Sequence, residues 1–292
     1  MNVLKTINII GCGKLGKTLA RLWTDCGVLK VQSVLNRSRS SGTEAVDFIG
    51  DGQAIESYAQ LKRADLVMIS APDDAIAGCC DQLCHTDVLG EGVTVFHCSG
   101  ALSSTLLTPA RDQGASIAGM HPVKSFADPA ASVESFAGTF CAVEGDVQAC
   151  EILRDVMEQC GAVTFHVEPE MKTIYHAATV IVCNYLVALM EVGLRCFQQA
   201  GLSRETAMEI MRPIVRETAE NVFRLGPDRA LTGPIARGEE SLVRQQCNAI
   251  GQWDEDVQRV YKALGHFAVE LSTAQGNADP EALAAIKKLL TS

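Results

Sequence analysis

Lys172 and His176 stand four residues apart in the run EMKTIYHAATVIVCNYL. On a helix they share one face, with Tyr175 and Thr179 along the same side. A lysine and a histidine on an otherwise apolar face suit general acid–base chemistry, and partial burial brings a lysine closer to neutrality. Two more histidines leave strand-like runs: His97 opens HCSGALSS with Ser99 and Gly100, and His121 lies in GMHPVKSF with Lys124 and Ser125. In an open α/β sheet, ligands lie outside the carboxyl ends of the strands. Lys172 is therefore expected to transfer a proton with help from His176. Ser99 and His121 are expected to orient the substrate, with Gly100 beside it.

Upstream, INIIGCGKLGKTLARLW sets Gly11, Gly13 and Gly16 between a strand and a helix at the start of a βαβ unit. That context is the one a dinucleotide-binding turn requires. Gly11 permits the sharp turn, Gly13 lets a pyrophosphate approach the N–H groups at the helix start, and Gly16 allows close helix–sheet packing. The turn assigns Gly11, Cys12, Gly13, Lys14, Leu15 and Gly16 to the cofactor. The next strand ends in LNRSRS, where an NAD site would carry an acid. Asn36, Arg37 and Ser38 offer neutral donors and a cation instead, which suits the 2′-phosphate of NADP. Ala71, Pro72 and Asp73 of SAPDDAI are placed along the cofactor cleft; equally, Asp73 or Asp74 caps the following helix.

Strands are predicted at 7–11, 31–35, 66–70, 93–97, 116–120, 140–144 and 163–166, with amphipathic helices at 14–26 and 149–160. Continuous apolar runs such as LVMIS suit parallel strands buried on both faces. After Pro169 the strand signals stop, and a long apolar helix spans about 171–200. Gly201 and Ser203 read as its stop and the next helix start. LGPDRALTGPIARGEES reads as a loop, and the tail from Leu242 as two helices. The fold class is α/β: a doubly wound domain over 1–168, then an all-helical domain over 169–292.

The 292 residues carry a net charge of −10, which disfavours nucleic acid. No signal peptide is evident, and the run HAATVIVCNYLVALM reads as too short to cross a bilayer, so the protein is expected to be soluble and cytoplasmic, with no membrane partner. The twelve cysteines follow core periods, as at Cys183 and Cys196, rather than a disulfide frame. Cys79, Cys80, Cys84 and His85 cluster without a second Cys-x-x-Cys pair, so no metal is assigned.

A nucleotide domain followed by a helical one resembles the 6-phosphogluconate dehydrogenase-like superfamily, which includes ketopantoate reductase, pyrroline-5-carboxylate reductase and prephenate dehydrogenase. The resemblance implies a catalytic lysine at Lys172; the β-hydroxyacid members carry asparagine where this chain has His176. GMHP resembles the Gly-x-His-Pro of prephenate dehydrogenases. HCSGAL, GMHPVKSF, YHAATVIVCNYLVAL and ALTGPIARGE resemble, over almost the whole chain, a family that joins a Rossmann-like domain to a helical domain of unknown function. Its members are often labelled NADP oxidoreductases of the deazaflavin-dependent type.

These readings point to an NADP-dependent oxidoreductase that passes a hydride to or from a small carbonyl, hydroxy or imino substrate. Two alternatives stand beside it: a non-catalytic NADP-binding regulatory or sensor module, and a deazaflavin–NADP hydride exchanger. Arg237, in the glycine-rich loop TGPIARG, is expected to clamp the substrate. The apolar face of the long helix predicts a homodimer through the helical domain.

Overall fold

The structure, a computed structural model, describes residues 4–291. Its first part runs β1 (Lys5–Ile10), α1 (Lys14–Asp25), β2 (Leu29–Leu35), α2 (Arg39–Ile49), β3 (Gln53–Ile55), β4 (Leu66–Ile69), α3 (Asp73–Leu83), β5 (Thr94–His97) and α4 (Thr108–Arg111). It continues with β6 (Ser116–Pro122), α5 (Pro129–Glu134), β7 (Phe140–Gly145), α6 (Val147–Gln159), β8 (Val163–His166) and the long α7 (Lys172–Gln199). One eight-stranded sheet has the order β3-β2-β1-β4-β5-β6-β7-β8. Every neighbouring pair is parallel except β6 and β7. The order from β3 to β6 is that of a doubly wound dinucleotide fold, with its topological switch between β1 and β4. The seven predicted strands are present. The eighth, β3, is a three-residue edge strand, too short for an alternating pattern to register.

The central strands are apolar because both of their faces are covered. On one face Ile7, Ile9, Met68 and Phe96 pack with Leu19 and Trp23 of α1 and Leu153 of α6. On the other, Ile10, Val67, Ile69 and Val95 pack with Ile76, Cys80 and Leu83 of α3.

The chain forms two compact units, one through Asn184 and one from Tyr185. The first turns of α7 belong to the first unit. The second unit holds the end of α7, then α8 (Arg204–Leu225), α9 (Pro227–Ala230), α10 (Glu240–Trp253), α11 (Glu255–Gln275) and α12 (Pro280–Thr291). No strand follows β8 among the described residues. Ser203 caps α8 by accepting from the Thr206 N–H at 3.2 Å. The predicted loop contains the short helix α9, and the tail holds three helices rather than two. The break is local: Asp254 is extended (φ −153°) and accepts from the N–H groups of Asp256 and Val257 at 2.9 and 3.1 Å, restarting the helix within one residue. Val243, Val269, Leu283, Ile286 and Leu290 form this unit's main core. An apolar cavity of about 470 Å³ lies between the end of α7, α10 and α11.

The segment 169–199 corrects one expectation: it is long and apolar enough to cross a membrane (mean hydropathy 1.8), where the sequence reading took the stretch as too short. It is also mostly uncovered. Ile181, Val182, Tyr185, Leu186, Val187 and Leu189 are exposed. So is Cys183, which the sequence reading placed on a core period.

Candidate active site

The glycine turn joins β1 to α1. Gly11 has φ +82°, and a Cβ there would meet the Ala71 backbone at 2.8 Å, so the loops after β1 and β4 touch where the fold switches direction. Ser70 Oγ donates to Gly11 O at 2.7 Å across this contact. Gly16 is equally tight, with Ser70 Oγ 2.7 Å from its would-be Cβ. Gly13 differs: nothing lies within 4 Å of its would-be Cβ, and as N-cap of α1 it leaves the first-turn N–H groups without a side-chain cap. Uncapped N–H groups at a helix N-terminus with open space before them suit an anion. Lys14 is exposed beside it and Leu15 half-buried. Cys12 is buried within the turn, and burial pushes its thiol up to about 12.

Asn36 takes a part in the turn that differs from the expected one. Its Oδ1 accepts from the Cys12 N–H at 2.6 Å, and its Nδ2 donates to Cys12 O and Ser41 O at 3.3 and 3.0 Å. The side chain is committed to holding the glycine turn against the end of β2. Ser38 caps α2 by accepting from the Ser41 N–H at 3.3 Å, and Arg39 pairs with Glu56 at 2.9 Å. Arg37 is exposed and has no partner among the described residues.

The second cluster is built on one face of β6, β7 and β8. Facing residues in a sheet ladder share a face, and alternate residues along a strand do too. Gly119 faces Glu144, and His121 faces Ala142, which faces Phe165. The start of α7 lies over this face. Lys172, 2% exposed, donates to Glu144 Oε1 at 3.1 Å and to Ser99 O at 2.9 Å. Glu144 also accepts from the Ser104 N–H at 2.8 Å and from Ser104 Oγ at 2.6 Å. Burial lowers the Lys172 pKa, and the Glu144 carboxylate opposes that shift. Gly119 is what makes the pair fit: a Cβ there would lie 2.2 Å from Glu144 Oε1 and 2.6 Å from Lys172 Nζ.

One turn further on, Tyr175 and His176 reach His121. Tyr175 Oη and His121 Nδ1 share a hydrogen bond of 3.0 Å, and the His121 and His176 rings meet edge to face at 5.7 Å. Gly100 lies under both. A Cβ there would be 2.5 Å from His176 Nδ1 and 2.8 Å from His121 Nε2, so two ring nitrogens address one point. Burial pushes the His121 pKa down to about 4, with His176 and Lys172 adding to the shift. His97 is fully buried, its Nδ1 accepting from the Ser99 N–H at 3.2 Å, and burial also holds it near 4.

Ser99 is committed as well. Its hydroxyl donates to Asp73 at 2.9 Å and accepts from the N–H groups of Ala101 and Leu102 at 3.2 and 3.0 Å. Its Oγ thus ties the HCSGAL turn to the start of α3, where Pro72 and Asp73 are exposed. The sequence-predicted residues of the first unit therefore lie at the carboxyl ends of β1, β2, β4, β5 and β6 and on the first turns of α7. Arg237 belongs to the second unit, where Glu239 holds its guanidinium at 2.7 and 2.9 Å. Among the described residues no cluster of His, Cys, Asp or Glu is arranged for a metal ion. Cys80 sits in the α3 core, its thiol pushed up to about 12 by burial.

Sequence reasoning missed Glu144, Gly119 and the Tyr175–His121 bond. The available signal for Glu144 was a carboxylate inside the otherwise apolar strand FCAVEG. A buried charge needs a buried partner.

Residues 2–122 match the Rossmann-like domain, and residues 139–267 match a domain of unknown function, DUF2520. The chain pairs a Rossmann-like domain with DUF2520. No curated protein matches it significantly. Among solved structures it is similar to protein TM1727 from Thermotoga maritima, at 24% identity and TM-score 0.74, over 92% of this chain and 99% of that one. A Bacteroides fragilis protein provisionally named an NADP oxidoreductase aligns at 20% identity and TM-score 0.69, over 93% and 98%. Plasmodium falciparum pyrroline carboxylate reductase, solved with NADP bound, aligns at 12% identity and TM-score 0.57, over 98% of each chain. At these identities the likeness is one of fold.

Proposed function

We propose that this protein is an NADP-dependent oxidoreductase acting on a small carbonyl, hydroxy or imino compound. The observation that carries the reading is the open, uncapped α1 N-terminus at Gly13, on the same sheet edge as the converging His121 and His176. The α1 N–H groups would hold the pyrophosphate, and the unpartnered Arg37 the 2′-phosphate. When bound, NADPH supplies a hydride.

The chain's own residues handle the proton. His121, His176 and Tyr175 are half-buried and meet above Gly100, where a reacting oxygen or nitrogen can exchange a proton with an imidazole. Lys172 is fully buried, with Ser99 O and Glu144 as its partners, so we assign it a positioning role: it sets the carbonyl of the turn that carries Gly100. This departs from the expectation that Lys172 itself exchanges the proton.

Fluorescence titration with NADPH and NADH, followed by NADPH oxidation against a panel of ketones, keto acids and imines, tests the reading. Tight NADPH binding with turnover on at least one class is expected. Binding without turnover on any class favours the sensor alternative, and NADH preference overturns the cofactor choice. We also read the protein as a homodimer, on the strength of the exposed apolar row along α7, and as cytoplasmic, on its twelve unpaired thiols.

A further inference from the structure

The sheet face that carries His121 does not end there. Phe165 faces Ala142, which faces His121, so the two rings flank one small residue in a single row. Phe140 lies two residues from Ala142 and projects on the same side. The rings are in sequence: His121 to Tyr175 at 5.8 Å, Tyr175 to Phe165 at 6.0 Å, Phe165 to Phe140 at 6.3 Å, all edge to face. Phe140 is 56% exposed and its cross-strand neighbour Val163 44%. An apolar track thus leads from the two imidazoles to the edge of the sheet.

The charges around the imidazoles are the second observation. Those acting on His121 come from His176, Lys172 and Asp73. Lys172 is matched by Glu144. The carboxylate of Asp73 also acts on His121; it is exposed, and its hydrogen-bond partner, the Ser99 hydroxyl, is neutral. A substrate carboxylate or phosphate beside His121 would lose water and meet the like charge of Asp73, while burial keeps His121 itself neutral above about pH 4.

From these two features we propose that the substrate is an uncharged or cationic carbonyl or imino compound with an apolar arm, its reacting group between His121 and His176 and its arm along Phe165 and Phe140. The proposal rests on the oxidoreductase reading and narrows it to a substrate class.

Four probes separate arm from charge: benzylacetone, its keto-acid counterpart, acetone and pyruvate. Each is titrated by saturation-transfer NMR against the 292-residue chain saturated with NADPH, and NADPH oxidation is followed in parallel. Benzylacetone is expected to bind about tenfold or more tighter than the other three, a step of about 1.4 kcal/mol. Phe165→Ala and Phe140→Ala should each lower the benzylacetone-to-acetone affinity ratio about tenfold, roughly what one lost apolar contact costs. Preference for either keto acid, an unchanged ratio in both variants, or no benzylacetone binding overturns the proposal. So does a change of particle mass in the variants, because a second copy would then be what covers the rings. If NADPH itself fails to bind, the oxidoreductase reading falls and the substrate class falls with it. Intact NADPH binding with the wrong preference removes only the substrate class.

Discussion

Lys172 Nζ and Glu144 Oε1 meet 3.1 Å apart with side chains 2% and 1% exposed, and Gly119 is the residue that leaves them room. Removing one member of such a pair strands the other charge without water, which costs about 3–5 kcal/mol. Lys172→Met and Glu144→Gln should each lose stability on that scale in urea unfolding. The double variant should regain part of it, because neither charge remains. A loss below about 1 kcal/mol in both single variants, the range of an exposed pair, would show that the charges are hydrated.

Gly100→Ala puts a methyl group where His121 and His176 converge, 2.5 Å from one ring nitrogen and 2.8 Å from the other. The rings must move apart. General acid–base groups contribute about 10²–10⁴-fold, so kcat should fall by about 10² or more while NADPH affinity stays unchanged. A variant that keeps full turnover removes the imidazoles from the chemistry.

Acid should destabilise the protein before its carboxylates titrate. His97 and His121 fall from about 6.5 to about 4 on folding, because burial disfavours their charged forms. Between those values the unfolded chain holds more protons than the native one, so stability rises with pH across that window and is lost as pH falls through it. Above about 6.5 both states are neutral at these sites and the dependence flattens. His121→Asn should show a shallower slope in denaturation followed from pH 7 to pH 4; an unaltered slope would mean that His121 titrates normally.

Arg37→Asp should weaken NADPH by about 1–3 kcal/mol and leave NADH nearly unaffected, because only NADP carries the 2′-phosphate. Equal losses for the two cofactors would place Arg37 elsewhere than on that phosphate.

The exposed apolar row of α7 predicts a particle near twice the 31.2 kDa chain mass by light scattering at micromolar concentration. Leu186→Glu should shift it toward the chain mass. A wild-type monomer would remove the homodimer.

Periodicity carried the fold. Continuous apolar runs marked seven of the eight strands, and the glycine spacing located the turn that Gly11 makes with φ +82°. These features were legible because they depend on near neighbours in the chain: a strand's burial shows in its own residues, and a left-handed turn demands its own glycine. The i, i+4 spacing of Lys172 and His176 likewise placed both on one helix face. What each side chain does there was decided by residues far away in sequence. Glu144 lies 28 positions from Lys172 and Tyr175 54 from His121. Asn36 turned from an expected phosphate donor into a brace for Cys12, 24 residues upstream. A side chain's polar atoms form only a few hydrogen bonds, and burial makes an unmet one costly, so the long-range partners settle which groups are committed to structure and which stay free for chemistry. Spacing along the chain holds no record of those partners; the packing of β6, β7 and α7 creates them.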